Sequence, residues 1–237
     1  MYMELDALRR DVALANRIVH AAGLVSAFGH ISARVPDAPE TFIFPTRASP
    51  ALADAARLLV LDLDGNRRSG EGEPNTEFWI HARIYAARPD VNAVAHVHSP
   101  ACVVLGQIGQ PLLPLHNHGG MFAAGVPLFE RIGLIRSREL GDQVAATLGQ
   151  HRAMFLRGHG ANVAEADVRR ATVVACFLEE SAELQLRALS ATGGRLDAVR
   201  VFTPEETALL TEQLDASGPM NRAWEYYTAL AEGRIRR

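Results

Sequence analysis

A short apolar segment between two prolines, residues 92–99, restricts the possible folds of this chain more than any other feature. The segment is rich in valine and alanine, and Pro89 and Pro100 oppose a helix running through it, so the pattern predicts a strand. Side chains two apart on a strand point to the same face, with Cα atoms roughly 6.5 Å apart. His96 and His98 therefore share one face, and the fold must accommodate two imidazoles side by side.

The rest of the chain mixes short strands and helices without a strict alternation of the two. No repeat, low-complexity tract or linker divides it, so residues 1–237 are predicted to form a single domain. The predicted fold class is α/β, a three-layer sandwich whose mainly antiparallel central sheet is flanked by helices. Predicted helices cover residues 5–19, 76–88, 101–106, 136–149, 167–189 and 204–237, the last interrupted at 217–219, and predicted strands cover 41–45, 58–62, 92–99, 112–115 and 153–156.

Charge and cysteine content argue against several classes of protein. The 24 Lys and Arg residues against 27 Asp and Glu lack the basic excess of nucleic-acid-binding proteins. No apolar run reaches the roughly 20 residues of a membrane-spanning helix, and the first residues do not resemble a secretion signal. These features predict a cytoplasmic protein without nucleic-acid or membrane partners, in which Cys102 and Cys176 are small core residues.

Three histidines are candidate metal ligands. His96 and His98 are spaced to bind one ion, and His159 lies between Gly158 and Gly160, which free the backbone for a tight turn. Three imidazoles with an open position suit one catalytic divalent ion per chain, most simply zinc, although manganese, iron and cobalt also accept nitrogen ligands. The ordinary alternatives are a solvated strand face for the pair and a surface turn for His159.

Glu77 is the candidate acid or base. It lies at the predicted start of a helix, where the helix dipole favours a carboxylate, and a glutamate there is also common without any function. Asn75 and Thr76 stand beside it and supply small polar groups that suit a bound anion.

Four stretches together resemble the class II aldolase/adducin family, in its metal-dependent aldolase and decarboxylase branch. They are residues 29–34 (Gly-His-Ile-Ser-Ala-Arg), Thr76-Glu77 followed by 80–85, residues 88–99, and Gly158-His159-Gly160, and the resemblance runs from the first helix to about residue 190.

The resemblance implies a set of roles for these residues. His96, His98 and His159 would be metal ligands, and Glu77 would be a fourth ligand in the empty site and the proton donor or acceptor during turnover. A cyclic homotetramer is implied as well, with active sites at subunit interfaces that a neighbour's C-terminal region, from about residue 204, completes.

Departures from the sugar-phosphate enzymes of the family point to a different small anionic substrate. Those enzymes cradle phosphate with Gly-Asn, with Thr-Gly or Ser-Gly, and with two serines before the carboxylate. Here Gly29-His30, Thr46-Arg47 and Asn75-Thr76 stand in those places, and Arg47 and His30 add side chains that pair with a carboxylate. The predicted substrate-binding residues are Gly29, His30, Arg47, Asn75, Thr76, His116, His118 and Arg157.

These observations favour decarboxylation of a hydroxylated aromatic acid with its hydroxyl ortho to the carboxylate. Aldol cleavage of an unphosphorylated hydroxy-keto acid or sugar is the alternative, and a non-catalytic adducin-like binding module is a further one. A non-catalytic module is expected to have lost the metal-binding histidines or the carboxylate, and this chain retains all four. Tyr226 and Tyr227 either pack at a subunit interface or enter a neighbour's site, and they are left outside the predicted catalytic set.

Overall fold

The computed structural model describes residues 2–236, with side chains from residue 4 onward. One sheet of eight strands forms its centre, in the order β4-β3-β2-β1-β5-β8-β7-β6. Every neighbouring pair is antiparallel except β6 and β7, which confirms the predicted α/β class. The strands are β1 (His30–Val35), β2 (Ala38–Phe44), β3 (Leu59–Asp62), β4 (Arg67–Ser69), β5 (Ala93–Val97), β6 (Leu128–Phe129), β7 (Ala153–Leu156) and β8 (Gly160–Glu165).

Helices cover both faces of the sheet and bury a separate apolar cluster on each. One cluster lies under α1, α3, α5 and α7, and the other lies under α2 and α4, so the molecule has three layers. Along β5, alternate side chains enter opposite clusters, which explains why this strand is apolar on both faces and fully buried. The helices are α1 (Tyr2–Ala21), α2 (Phe78–Ala87), α3 (Pro100–Gln107), α4 (Arg138–Leu148), α5 (Val168–Ala191), α6 (Pro204–Asp215) and α7 (Ser217–Ala231).

The central position of β5 determines what surrounds the histidine pair. β5 pairs with β1 on one side and with β8 on the other. In this register His96 lies between His30 of β1 and Asn162 of β8. Three polar side chains thus lie side by side across three central strands, where their burial is costly unless they have partners.

Two predicted elements differ from the structure. Residues 112–115 form no strand, because the Leu113 N–H bonds to the side chain of Gln185 instead of to a neighbouring strand. The C-terminal helix breaks at Ala216, and Pro219 lies in the first turn of α7, where its missing N–H costs nothing. Strand β8 was not predicted, although it forms the partner of β5.

The predicted core position of the two cysteines is confirmed. Cys102 and Cys176 are both buried, and neither forms a disulfide bond. None of the described helices has the length and apolar character needed to cross a membrane. In the predicted interface tail, α6 packs against residues His118–Phe122, and α7 packs against α1 and α5. Its role between subunits stays a prediction.

Candidate metal centre and active site

Four side chains predicted as metal ligands meet at one end of β5. One ligand atom from each of Glu77, His96, His98 and His159 lies within 4.8 Å of the others. The Nε2 atoms of His96 and His98 are 3.1 Å apart. Glu77 Oε2 lies 3.9 Å from His96 Nε2 and 3.7 Å from His159 Nε2. Three nitrogens and one carboxylate oxygen around a single point are a donor set suited to a divalent transition-metal ion.

A tight turn brings His159 to the pair on β5. The loop between β7 and β8 has three residues, with Gly158 at a positive φ of 64° and the His159 N–H bonded to Leu156 O at 3.0 Å. A Cβ on Gly160 would lie 2.0 Å from the carbonyl oxygen of Val97. Glycine at that position therefore lets β8 approach β5 closely, beside the residue that precedes His98.

Asn162 orients His96 and was not among the predicted site residues. The Nδ1–H of His96 donates to Asn162 Oδ1 at 2.7 Å, which leaves the lone pair of Nε2 free for a metal ion. An outer partner of this kind fixes the tautomer and the ring orientation of a ligating histidine. The alternating residues of β8 were the available signal, since they place Asn162 opposite His96 once the strand is recognised.

Glu77 is held from two sides. Its Oε1 accepts the backbone N–H of Ile135 at 2.9 Å, and its own N–H donates to Asn75 Oδ1 at 3.0 Å. Asn75 thus shapes the turn before α2, and Glu77 occupies the capping position of the helix. The side-chain carboxylate makes no capping hydrogen bond with α2, and its Oε2 atom faces the imidazoles of His96 and His159.

Burial keeps two of the candidate ligands, His96 and His98, unprotonated at neutral pH. Desolvation, together with the neighbouring His159, lowers the pKa of His96 to about 3. Desolvation and the nearby His96 lower the pKa of His98 to about 3 as well. A neutral imidazole is the form that binds a metal ion, so no proton has to be displaced from either ring.

A pocket of about 460 Å³ opens onto this cluster. Its volume suits a single-ring organic acid. Phe28, Leu134 and Arg136, none of which the sequence analysis proposed, also line it. Glu77, His98 and His159 share the lining with five of the predicted substrate-binding residues, which are Gly29, His30, Arg47, Asn75 and Thr76.

The remaining predicted substrate-binding residues lie elsewhere in the chain. His118 Nδ1 is 3.0 Å from Glu180 Oε2, and the His118 N–H donates to Nδ1 of His116. Arg157 donates to the backbone oxygen of Glu130 at 2.9 Å. None of the three lines the pocket within one chain, so their role in binding substrate stays a prediction.

The tyrosines of α7 also lie outside the pocket. Tyr227 donates to Glu180 at 2.8 Å, and Tyr226 is 45% exposed. A larger pocket of about 600 Å³ lies between α1, α7 and the start of α5, and it contains none of the clustered ligands. We place the active site at the smaller pocket, because the metal-binding side chains lie there.

Curated relatives with this sequence pattern include enzymes of two kinds. A 3,4-dihydroxyphthalate decarboxylase from Arthrobacter keyseri is 30% identical over 238 residues, covering 93% of this chain and 92% of that protein. An L-fuculose phosphate aldolase from Escherichia coli is 32% identical over 164 residues, covering 67% of this chain and 73% of that protein.

A solved structure and a family model agree with these relatives. An aldolase II superfamily protein from Pseudomonas syringae superposes with a TM-score of 0.82 at 26% identity, over 97% of this chain and 93% of the other. The family model described as class II aldolase and adducin N-terminal domain matches residues 10–186, which include all four clustered ligands. The chain belongs to the class II aldolase and adducin family.

Proposed function

We propose that this class II aldolase-family lyase decarboxylates a hydroxylated aromatic acid whose hydroxyl group is ortho to the carboxylate. The observation that carries the proposal is the positive charge of the pocket. Arg47 and Arg136 both line it, and neither guanidinium forms an ion pair within the described residues. Glu77 alone is acidic among the described residues of the lining. A divalent ion adds further positive charge, so the pocket attracts an anion.

Arg47 is oriented for carboxylate binding. Its Nε–H donates to the carbonyl oxygen of Pro74 at 3.0 Å, and its N–H donates to the carbonyl oxygen of Glu73. Both bonds tie this loop to the segment that leads to Glu77. The terminal nitrogens of the guanidinium remain available, and their planar arrangement matches a carboxylate.

Apolar side chains at the mouth of the pocket favour a flat ring. Phe28 is 65% exposed and Leu134 is 44% exposed, although both are large and apolar. Such exposure beside a polar site is typical of a surface that an apolar part of a ligand covers. A sugar presents hydroxyl groups to these positions and gains less from them than an aromatic ring does.

The extent of the similarity also supports decarboxylation. The decarboxylase relative matches 93% of this chain, whereas the fuculose phosphate aldolase matches 67%. The two relatives are close to equally identical where they align. The decarboxylase therefore shares more of the chain beyond the common catalytic region.

In the proposed reaction, His96, His98 and His159 would hold the ion, and Glu77 would be its fourth ligand only until substrate binds. The bound ion supplies charge stabilisation at the substrate oxygens when the carbon–carbon bond breaks. Arg47 and Arg136 hold the substrate and orient its carboxylate. Glu77 takes the proton of the ortho hydroxyl group and delivers it to the ring carbon, which keeps the electron pair of the broken bond as carbon dioxide leaves. The phenolate oxygen then takes a proton from water.

A panel of acids on metal-loaded protein tests this proposal. Ortho-hydroxy aromatic carboxylates should release carbon dioxide, while unphosphorylated hydroxy-keto acids and sugars should release no aldehyde. Aldehyde release without carbon dioxide would replace decarboxylation by aldol cleavage. If neither product forms although the ion is bound, the proposed function is wrong.

Metal content is measured first, by plasma mass spectrometry on protein purified without chelators. We expect one ion per chain, zinc being the simplest, and loss of that ion in His98→Ala. His20→Ala is the matched control, because His20 lies at the end of α1 with its side chain exposed. Absence of an ion in the wild type after incubation with zinc, manganese and cobalt would favour the non-catalytic module. Sedimentation of the same sample tests the proposed homotetramer.

A further inference from the structure

A buried nitrogen of His30 lies at the pocket without a hydrogen-bond partner among the described residues, and unlike His159, whose Nε2 also lacks one, His30 is not a candidate metal ligand. His30 lines the pocket although only 1% of its surface is exposed. Its Nδ1 lies 2.8 Å from Nε2 of His81, which does not line the pocket. Its Nε2 has no hydrogen-bond partner. A buried polar atom without a partner is unfavourable and rare, so it indicates a place for a ligand group.

A chain of buried hydrogen bonds leads from His30 into the apolar layer under α2. Nδ1 of His81 lies 2.6 Å from Ser32 Oγ, and the same oxygen lies 2.7 Å from the hydroxyl of Tyr85. At most 2% of the surface of each of these side chains is exposed. Water therefore cannot replace these contacts, and each hydrogen must point to one defined acceptor.

The direction of the chain follows from its inner end. Among the described residues, Ser32 Oγ is the only acceptor within hydrogen-bond distance of the Tyr85 hydroxyl. A buried O–H needs an acceptor, so the phenol donates its hydrogen to Ser32 Oγ. Ser32, having accepted this bond, donates its own hydrogen to Nδ1 of His81.

The two imidazole rings continue this hydrogen-bond chain in the same direction. A neutral imidazole carries one hydrogen, and Nδ1 of His81 is already an acceptor, so the hydrogen of His81 is on Nε2. It is donated to Nδ1 of His30. The hydrogen of His30 is consequently on Nε2, the nitrogen without a partner.

We infer that Tyr85, Ser32 and His81 are positioning residues that hold His30 as a hydrogen-bond donor, with its Nε2–H presented to an anionic oxygen of the substrate. The identity of that oxygen, a carboxylate of an aromatic acid, rests on the proposed function. The direction of the hydrogen-bond chain does not depend on the proposed function. An enzyme with this arrangement discriminates against ligands that lack an acceptor at this position, because the buried N–H would stay unpaired.

The tautomer of His30 is the direct test. Long-range proton–nitrogen correlation spectra of zinc-loaded protein, labelled with nitrogen-15 in histidine, distinguish Nε2–H from Nδ1–H, and His30→Gln assigns the resonance. We expect only the Nε2–H form in the wild type. In Ser32→Ala the donor to His81 is lost, and we expect His30 to become a mixture of the two forms.

Ser181→Ala is the matched control, since Ser181 is equally buried but bonds only to its own helix, at Phe177 O. It should leave the tautomer of His30 unchanged. Thermal unfolding of both serine variants verifies that they are folded. A wild-type hydrogen on Nδ1, or an unchanged spectrum in folded Ser32→Ala, would overturn the inference.

A ligand titration tests the contact with substrate. Addition of 2-hydroxybenzoate should shift the Nε2–H resonance of His30, whereas phenol, which lacks the carboxylate, should not. The affinity for 2-hydroxybenzoate should fall roughly tenfold in Ser32→Ala, as expected for one lost hydrogen bond to a charged group. No shift with 2-hydroxybenzoate would overturn the proposed contact. Failure of the substrate panel, with the tautomer and the shift as expected, would reject decarboxylation alone.

Discussion

His96 and Asn162 face each other across β5 and β8, with Nδ1 of the imidazole 2.7 Å from Oδ1 of the amide. Because the amide oxygen accepts the ring's one hydrogen, Nε2 of His96 presents a lone pair toward His98 and Glu77. The buried sheet thus orients His96 for the proposed metal site.

Asn162→Ala should weaken metal binding without removing any ligand. His96 would lose the partner that fixes its tautomer, and outer-shell changes of this kind lower metal affinity roughly 10- to 100-fold. Competition with a chromogenic chelator measures the dissociation constant for zinc. Asn221→Ala, at an exposed position in α7, should keep the wild-type value. Equal affinity in the two variants would show that Asn162 does not prepare His96.

Glu77→Gln should retain the ion and lose turnover. Three imidazoles remain, and the amide oxygen of glutamine still accepts the Ile135 N–H, so the loop stays in place. Loss of the group that transfers the proton should lower kcat by about 10² to 10⁴. Glu73→Gln removes the same charge at an exposed position nearby and should be fully active. Full activity of Glu77→Gln would reject its role as acid or base.

Arg47→Met and Arg136→Met should each weaken the binding of 2-hydroxybenzoate by roughly tenfold, because a charge-assisted hydrogen bond is lost. Isothermal titration calorimetry measures the dissociation constant. Arg157→Met is the comparison, since within one chain this guanidinium bonds to Glu130 and does not line the pocket. A weakening by Arg157→Met equal to that of Arg47→Met would show that another subunit brings Arg157 to the site.

Gly160→Ala should destabilise the protein and disturb the ligands together. The new Cβ would lie 2.0 Å from Val97 O, so β5 and β8 must separate next to His98 and His159. We expect a loss of about 1 to 3 kcal/mol in the free energy of unfolding, together with weaker metal binding. In Gly218→Ala nothing lies within 4 Å of the added Cβ, so stability should be kept or slightly raised. Urea unfolding of both variants measures the difference.

Acid should destabilise the metal-free protein through His96. Its pKa is about 3 in the fold against an ordinary 6.5, so the unfolded chain binds a proton that the folded chain excludes. The contribution of neutral His96 to the free energy of unfolding is fully present above pH 6.5. It is lost as the pH falls from 6.5 toward 3, by roughly 1.4 kcal/mol per pH unit. Urea unfolding at pH 7.5, 6 and 5 should show a smaller loss in His96→Leu than in His20→Leu. An equal loss of stability with falling pH in the two variants would contradict the low pKa of His96.

Local patterns in the sequence predicted most of the candidate metal-binding cluster. The spacing of His96 and His98, the glycines around His159 and the helix start at Glu77 are each features of a few neighbouring residues. The resemblance to a known family joined them into one site, and the structure brings their ligand atoms within 4.8 Å of one another. Arg136 carries no such local signal, and the alternation in β8 marks Asn162 only once the pairing of β8 with β5 is known.

The sequence by itself determined the spacing of apolar residues, and that spacing determined the three layers. Because β5 is apolar on both faces, helices have to cover both sides of the sheet. The sequence also determined which residues are able to bind a metal ion. Only the tertiary structure decided which side chains serve the site and which do not. Strand register places Asn162 and His30 on either side of His96, and loop paths bring Arg136 to the pocket while leaving Arg157 outside it. Register and loop path are set by the packing of the whole sheet, so no single segment encodes them.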